Sequence, residues 1–259
     1  MSIFLAALLG LVQGLTEFLP VSSSGHLVIF QNWLQEEHTP IVFDLVLHIG
    51  TLGAIVIRWR KDLLELIKSV FTRPFAPESR LALWIVLGSI PTAFIGLAFE
   101  DLFEKIFQTP RMVASAFFVT GTFLFATRYL TNANRDEDAI TWKDALLIGT
   151  AQGLAITPGI SRSGSTIAVA MLLGLKSESA TKYSFLLSIP AILGGFILKM
   201  DELTTLHSSA YSSLLVGFVV SFISGMFALQ LLEKVVNTGN FWKFAFYLWP
   251  LALMGWFVL

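Results

Sequence analysis

Long apolar runs cover about 41–57, 81–99, 112–127, 183–198, 211–232 and 244–259. With tilt and flanking residues, each is long enough for a hydrocarbon core that takes roughly 20 helical residues to cross. Two further apolar stretches are interrupted: residues 3–30 break at "EFLPVSSSG", and residues 145–175 break at "TPGISRSGS". Each half is too short to span, and Pro, Gly and Ser cluster at the break. The pattern predicts two re-entrant helix–loop–helix hairpins whose tips lie inside protein, because irregular backbone cannot face lipid. The stretch "KDLLELIKSV", residues 61–70, is amphipathic and is expected on the inner membrane surface. "NANRDED" reads as a solvated linker.

The two interrupted stretches resemble each other. At an ungapped offset of 139, Gly10, Gln13, Gly14, Leu15, Ser22, Ser24 and Gly25 fall on Gly149, Gln152, Gly153, Leu154, Ser161, Ser163 and Gly164. Apolar coincidences come easily in membrane proteins, but matched Gln, Ser and Gly do not. The chain therefore reads as one all-α polytopic membrane domain with internal repeats of about 1–130 and 140–259. Each half would carry one re-entrant hairpin and three crossings. Three is odd, so the second half is expected upside down relative to the first.

Charge placement supports that topology. With the 58–80 loop inside, the inner loops hold thirteen Lys and Arg, whereas the outer loops hold only Lys105, Arg111 and Lys199. The bias follows the positive-inside rule and puts both termini outside. The first hairpin then enters from the outer face and the second from the inner face, with their tips meeting near mid-membrane. The remaining cation is Arg162, at the second tip. At that depth an arginine costs about 2.5–3.5 kcal/mol to insert and marks a functional site.

Composition fits this reading: 55% of residues are hydrophobic and 14% charged, and the mean hydropathy is +0.73, too apolar for a soluble domain. The net charge of −1 gives no sign of a nucleic-acid partner, and the absence of cysteine excludes disulfides and thiolate metal sites. "MSIFLAALLG" has no basic leader and no cleavage signal, so it is read as mature protein.

The chemistry concentrates at the tips. New helices are expected to begin near Ser23 and Ser163, where serine caps and free N–H groups attract anions. Arg162 adds a planar fork of donors suited to phosphate. A serine hydroxyl at the first tip is a nucleophile candidate, and either Glu17 or His26 could be its base. His48 reads as a packing or hydrogen-bonding residue that could also reach the pocket, and His38 and His207 as solvated. Gln152 reads as mainly structural, because Ile156 stands opposite Glu17 in the repeat. From the residues alone, the reading stops at phosphate chemistry or anion transport at mid-membrane.

"VQGLTEFLPVSSSGH" and "PGISRSGST" resemble the two signatures of the undecaprenyl-diphosphatase family, also called the bacitracin-resistance protein family, and the similarity covers essentially the whole chain. The resemblance implies hydrolysis of undecaprenyl diphosphate to the monophosphate and phosphate. Such an activity recycles the lipid carrier for peptidoglycan synthesis in the bacterial inner membrane and gives bacitracin resistance. It makes Glu17, Ser23, His26 and Arg162 catalytic, and gives Gln13, Ser22, Ser24, Gly25, Ser161, Ser163, Gly164 and Thr166 to the substrate. It also implies a polyprenyl diphosphate entering from the outer face, surrounding membrane lipid, and a divalent cation, Mg or Ca, with Glu17 as one candidate ligand. Gln13 stands where many members have Glu, and it cannot ionise. Homodimerisation is left open. The rival reading is an anion transporter or polyprenyl-phosphate flippase, since inverted repeats with broken helices are a transporter architecture. Glu17, Ser23 and His26 on one tip favour chemistry, because transport needs no nucleophile.

Overall fold

The computed structural model describes residues 2–34, 41–129, 133–201 and 210–258; the expectations for His38 and His207 lie outside these. The described residues form twelve α-helices and no strand: α1 (Ile3–Phe18), α2 (Ser23–Trp33), α3 (Ile41–Arg58), α4 (Arg60–Thr72), α5 (Pro77–Ala98), α6 (Glu100–Phe107), α7 (Pro110–Ala126), α8 (Trp142–Leu154), α9 (Arg162–Leu172), α10 (Ser177–Leu198), α11 (Ala210–Asn237) and α12 (Ala245–Val258).

Four helical stretches are long and apolar enough to cross a membrane: Pro77–Ala98, Pro110–Tyr129, Ser177–Leu198 and Ala210–Asn237. A fifth is added if α3 and α4, bent by 78° at their junction, count as one span. This is fewer than the six runs in the sequence. The 244–259 run yields a helix of only 14 residues, about 21 Å at 1.5 Å per residue, short of a hydrocarbon core. In α5 only 17% of the apolar window is buried within the protein. A helix that apolar and that exposed needs lipid as its solvent. α4 turns Leu64, Ile67 and Phe71 outward while packing its other side on α5, as an interfacial amphipathic helix does.

Tight crossings join helices far apart in the sequence. α1 packs on α11, and α8 on α5. At the first crossing, a Cβ on Gly10 would stand 2.6 Å from the Gly217 carbonyl oxygen; at the second, a Cβ on Gly149 would overlap the Gly88 carbonyl. Small residues at both crossings let backbones approach closely. Thr92 Oγ1 donates to the Gly149 carbonyl at 2.9 Å, and Ser221 Oγ to the Leu47 carbonyl at 2.9 Å. Gly149→Val is expected to lower stability by about 1–3 kcal/mol through overpacking, read as a lower melting temperature in detergent. Gly194→Ala, with nothing within 4 Å of the new Cβ, should leave it unchanged or raise it.

The "NANRDED" segment, expected as a solvated linker, is exposed at Asn134, Asp136 and Asp138 and is also pinned at Asn134 and Arg135. The N–H groups of Asn134 and Arg135 both donate to the Gly174 carbonyl, at 3.1 and 2.9 Å. Gly174, at φ +88°, ends α9 in a Schellman turn, with Leu175 N donating to Ala170 O and Gly174 N to Met171 O. Arg135 pairs with Asp144 at 2.6 Å and donates to the Leu173 and Ala139 carbonyls. The sequence showed charge here; burial of the Asp144 carboxylate makes that charge structural. Arg135→Ala leaves Asp144 buried without its guanidinium, and should cost at least about 1–3 kcal/mol in a thermal melt.

Candidate functional site between the two broken helices

α1 ends at Phe18 because Leu19 is extended before Pro20. Its last turns bring Gln13 and Glu17, four residues apart, onto one buried face, and Gln13 Nε2 donates to Glu17 Oε2 at 3.0 Å. The chain reverses at Ser22, which sits at φ 65°. A non-glycine residue there stores about 1–3 kcal/mol of strain. Two partners hold it: Ser22 Oγ accepts from Gly25 N at 3.3 Å, capping α2, and from Gly159 N at 3.1 Å in the opposite tip. α2 thus starts at Ser23 with Ser22 as its cap. α9 starts at Arg162 with Ser161 as its cap, whose Oγ accepts from Gly164 N at 3.0 Å. α2 begins at the residue expected from the sequence, and α9 one residue before Ser163.

The tips meet. Arg162 Nη2 donates to Glu17 Oε1 at 2.5 Å, and Ser23 Oγ donates to Glu17 Oε2 at 2.6 Å. One carboxylate therefore joins the hydroxyl of the first tip to the guanidinium of the second. Ser163 Oγ donates to the Leu19 carbonyl at 3.3 Å. Gly25 faces Gly159, where a Cβ would come within 2.9 Å of its Cα, and Gly164 faces Pro20. Larger residues at either glycine would push the tips apart. Phe185 floors the site, 5.6 Å below the Arg162 guanidinium, braced by Phe18 and Trp59 at 5.4 and 5.5 Å.

Two buried polar atoms at the site have no hydrogen-bond partner among the described residues: Arg162 Nη1 and Gln13 Oε1. An unpaired buried guanidinium nitrogen is costly unless something fills its place. Beside two helix N-termini, that place suits an anionic oxygen.

The other expected site residues divide. Ser24 Oγ lies 3.3 Å from Ser22 Oγ, and Ser161 Oγ 3.3 Å from Ser163 Oγ. Thr166 is fully buried, its hydroxyl engaged with the Arg162 carbonyl at 2.8 Å and Ser184 Oγ at 2.5 Å, so it supports the turn that carries Arg162. His26 does not bond Ser23. Its Nδ1 donates to the Ser22 carbonyl and its Nε2 meets Tyr247 Oη, both at 2.7 Å. Of the two bases left open by the sequence, Glu17 is the one in contact with the Ser23 hydroxyl. Gln152 donates to Thr92 and to the Leu187 carbonyl, which fits a structural role.

Sequence reasoning missed one neighbour, Tyr247, and left another, His48, as a packing residue within reach of the pocket. His48 Nε2 stands 3.5 Å from Glu17 Oε2; its position inside an apolar helix was the available signal. Tyr247 reaches His26 from α12 and stacks on it, with no sequence signal beyond an aromatic residue in an aromatic run.

A hard divalent cation needs several oxygen ligands, usually including a free carboxylate. Here the single carboxylate is already shared by Arg162, Ser23 and Gln13. No group of three or more His, Cys, Asp or Glu side chains suited to a metal exists among the described residues. The set does not fit a resident cation.

A family model described as bacitracin resistance protein BacA matches residues 6–254. The chain is 43% identical over 257 residues to an undecaprenyl-diphosphatase of Desulfatibacillum aliphaticivorans, covering 93% of each chain. It is 40% identical to the undecaprenyl-diphosphatase of Carboxydothermus hydrogenoformans, over 98% of this chain and 96% of that one. It is also 40% identical to that of Halothermothrix orenii, over 98% and 97%. With a family match over nearly its whole length and relatives this similar, the chain belongs to the bacitracin resistance protein BacA family.

Proposed function

We propose that the protein is an integral membrane phosphatase that hydrolyses undecaprenyl diphosphate to undecaprenyl phosphate and phosphate, recycling the carrier for cell-wall synthesis. The observation that carries this is the Glu17 carboxylate, bonded at once to the Ser23 hydroxyl at 2.6 Å and the Arg162 guanidinium at 2.5 Å. Nucleophile, base and anion clamp are thereby within one bond of each other. A carrier would need the clamp but has no use for a serine held by a base.

In this reading the diphosphate docks on Arg162 Nη1 and the N-termini of α2 and α9, with Ser22, Ser24, Ser161 and Ser163 beside it. Ser23 gives its proton to Glu17 and attacks the terminal phosphorus; undecaprenyl phosphate leaves. Water, activated by the same carboxylate, then releases phosphate from the serine. Arg162 stabilises charge on the phosphoryl oxygens, so catalysis is largely electrostatic. His26, tied to Tyr247, holds the Ser22 turn through its carbonyl. The divalent cation implied by the family resemblance enters as the counter-ion of the diphosphate, and no step is routed through it.

The inverted repeat, with units of about 1–130 and 140–259, belongs to the same reading. It is supported by the reciprocal packing of α1 on α11 and α8 on α5, and by the glycine crossings Gly10–Gly217 and Gly149–Gly88. So does the orientation, with re-entrant hairpins entering from opposite faces, termini outside and the pocket open outward. Single cysteines placed in this cysteine-free chain and labelled from one side should report outward-facing termini. The activity is tested by phosphate release from purified protein in detergent micelles, where no second compartment exists. Release establishes an enzyme; no release together with uptake into vesicles establishes a carrier.

A further inference from the structure

The two-step reaction sets a requirement that Glu17 alone does not meet. Glu17 takes the Ser23 proton in the first step and must be a carboxylate again to activate water in the second. The leaving group is a phosphate, which departs without needing that proton. Gln13, the other side chain bonded to Glu17 from α1, cannot hold it. A third group must.

We propose that His48 is that group: a proton relay acting through Glu17, which accepts the Ser23 proton between the two chemical steps. The geometry prepares it. Its Nδ1 donates to the Asp44 carbonyl one turn earlier on α3, at 2.7 Å. A carbonyl only accepts, so the Nδ1 hydrogen is fixed and Nε2 is the free basic nitrogen. That nitrogen faces Glu17 Oε2, the same oxygen that receives the Ser23 hydroxyl, at 3.5 Å. The separation closes to a hydrogen bond when Oε2 carries a proton to donate.

The steps balance. As the Ser23 Oγ–phosphorus bond forms and the bridging P–O bond breaks, the proton on Oγ moves to Glu17 Oε2 and then to His48 Nε2. Glu17, ionised again, takes a proton from the attacking water, and the Ser23 oxygen recovers that proton as it leaves phosphorus. One proton remains on His48, matching the net proton that diphosphate hydrolysis yields when both products leave as dianions. His48 can release it, since its side chain is 22% exposed against 5% for Glu17.

The inference rests on the covalent reading above, and the test separates the two. The wild type, His48→Gln, His48→Ala and Ser23→Ala are purified in detergent and given undecaprenyl diphosphate labelled on its terminal phosphate. His48→Gln is expected to lower kcat by about 10²-fold, in the range of a lost acid–base group, with KM within twofold. Acid-quenched phosphoenzyme should build up above the wild-type level, and added imidazole should speed His48→Ala several-fold but not Ser23→Ala. A His48→Gln rate within twofold of wild type overturns the relay, as does a His48→Ala defect confined to KM and unmoved by imidazole. A fully active Ser23→Ala instead removes the covalent reading, and the relay with it.

Discussion

Ser23→Ala is expected to lower kcat for phosphate release by about a thousandfold or more, in keeping with loss of a covalent nucleophile, while KM changes little. The hydroxyl donates to Glu17 Oε2 at 2.6 Å, and that bond does the positioning. A serine hydroxyl is a weak nucleophile until a base takes its proton, and here the base is already in contact. Alanine leaves Gln13 and Arg162 on the carboxylate, so the tips should stay joined and the melting temperature should fall little. The loss is therefore expected in chemistry rather than in folding. Turnover near the wild-type rate, measured by phosphate release in detergent, would mean that water attacks directly and that Ser23 is at most a hydrogen-bond donor.

Arg162→Lys should lower kcat by about 10²–10³-fold, the range for removing one preorganised donor to an oxyanion. The charge is kept, so an effect of this size would come from geometry. In the wild type one guanidinium nitrogen holds Glu17 Oε1 and another, Nη1, is left unpaired and buried. A guanidinium can grip carboxylate and phosphate together through separate nitrogens in one rigid plane; an ammonium is a single point that must choose. If lysine keeps Glu17 it loses the phosphate, and if it takes the phosphate the base is left without its counter-ion. Retained activity in Arg162→Lys would remove the fork from the account.

Much of this was legible in the sequence because polar residues are conspicuous in an apolar chain. The breaks at Pro20 and at Gly159 marked the two tips, and Glu17 and Arg162 stood out as charges that lipid does not tolerate alone. Their 2.5 Å contact is what an inverted arrangement of the two segments leads one to expect. Other features stayed hidden. His26 looked like a base for Ser23 because it lies three residues away, but in the first turn of a helix its ring turns back onto the Ser22 carbonyl and outward to Tyr247. Tyr247 comes from the other end of the chain, and no local pattern foretells that pairing. His48 was outweighed by its apolar neighbours. The pinning of the linker escaped notice because composition reports charge but not its partners, here Gly174 and Asp144. The short α12 escaped because the 244–259 run counts on flanking residues to lengthen it, whereas Phe241–Phe244 before it form a 3-10 turn and not α-helix.

The central claim is that hydroxyl, acid and guanidinium from the two broken helices form a single site. A double-mutant cycle on Glu17→Gln and Arg162→Lys, read as kcat/KM for phosphate release in detergent, tests it most directly. If the pair acts as one unit, the double variant should be scarcely slower than the slower single variant, because the first substitution already disables what the second would remove. Losses that multiply, with no coupling between the two positions, would show that Glu17 and Arg162 work independently and would contradict the account.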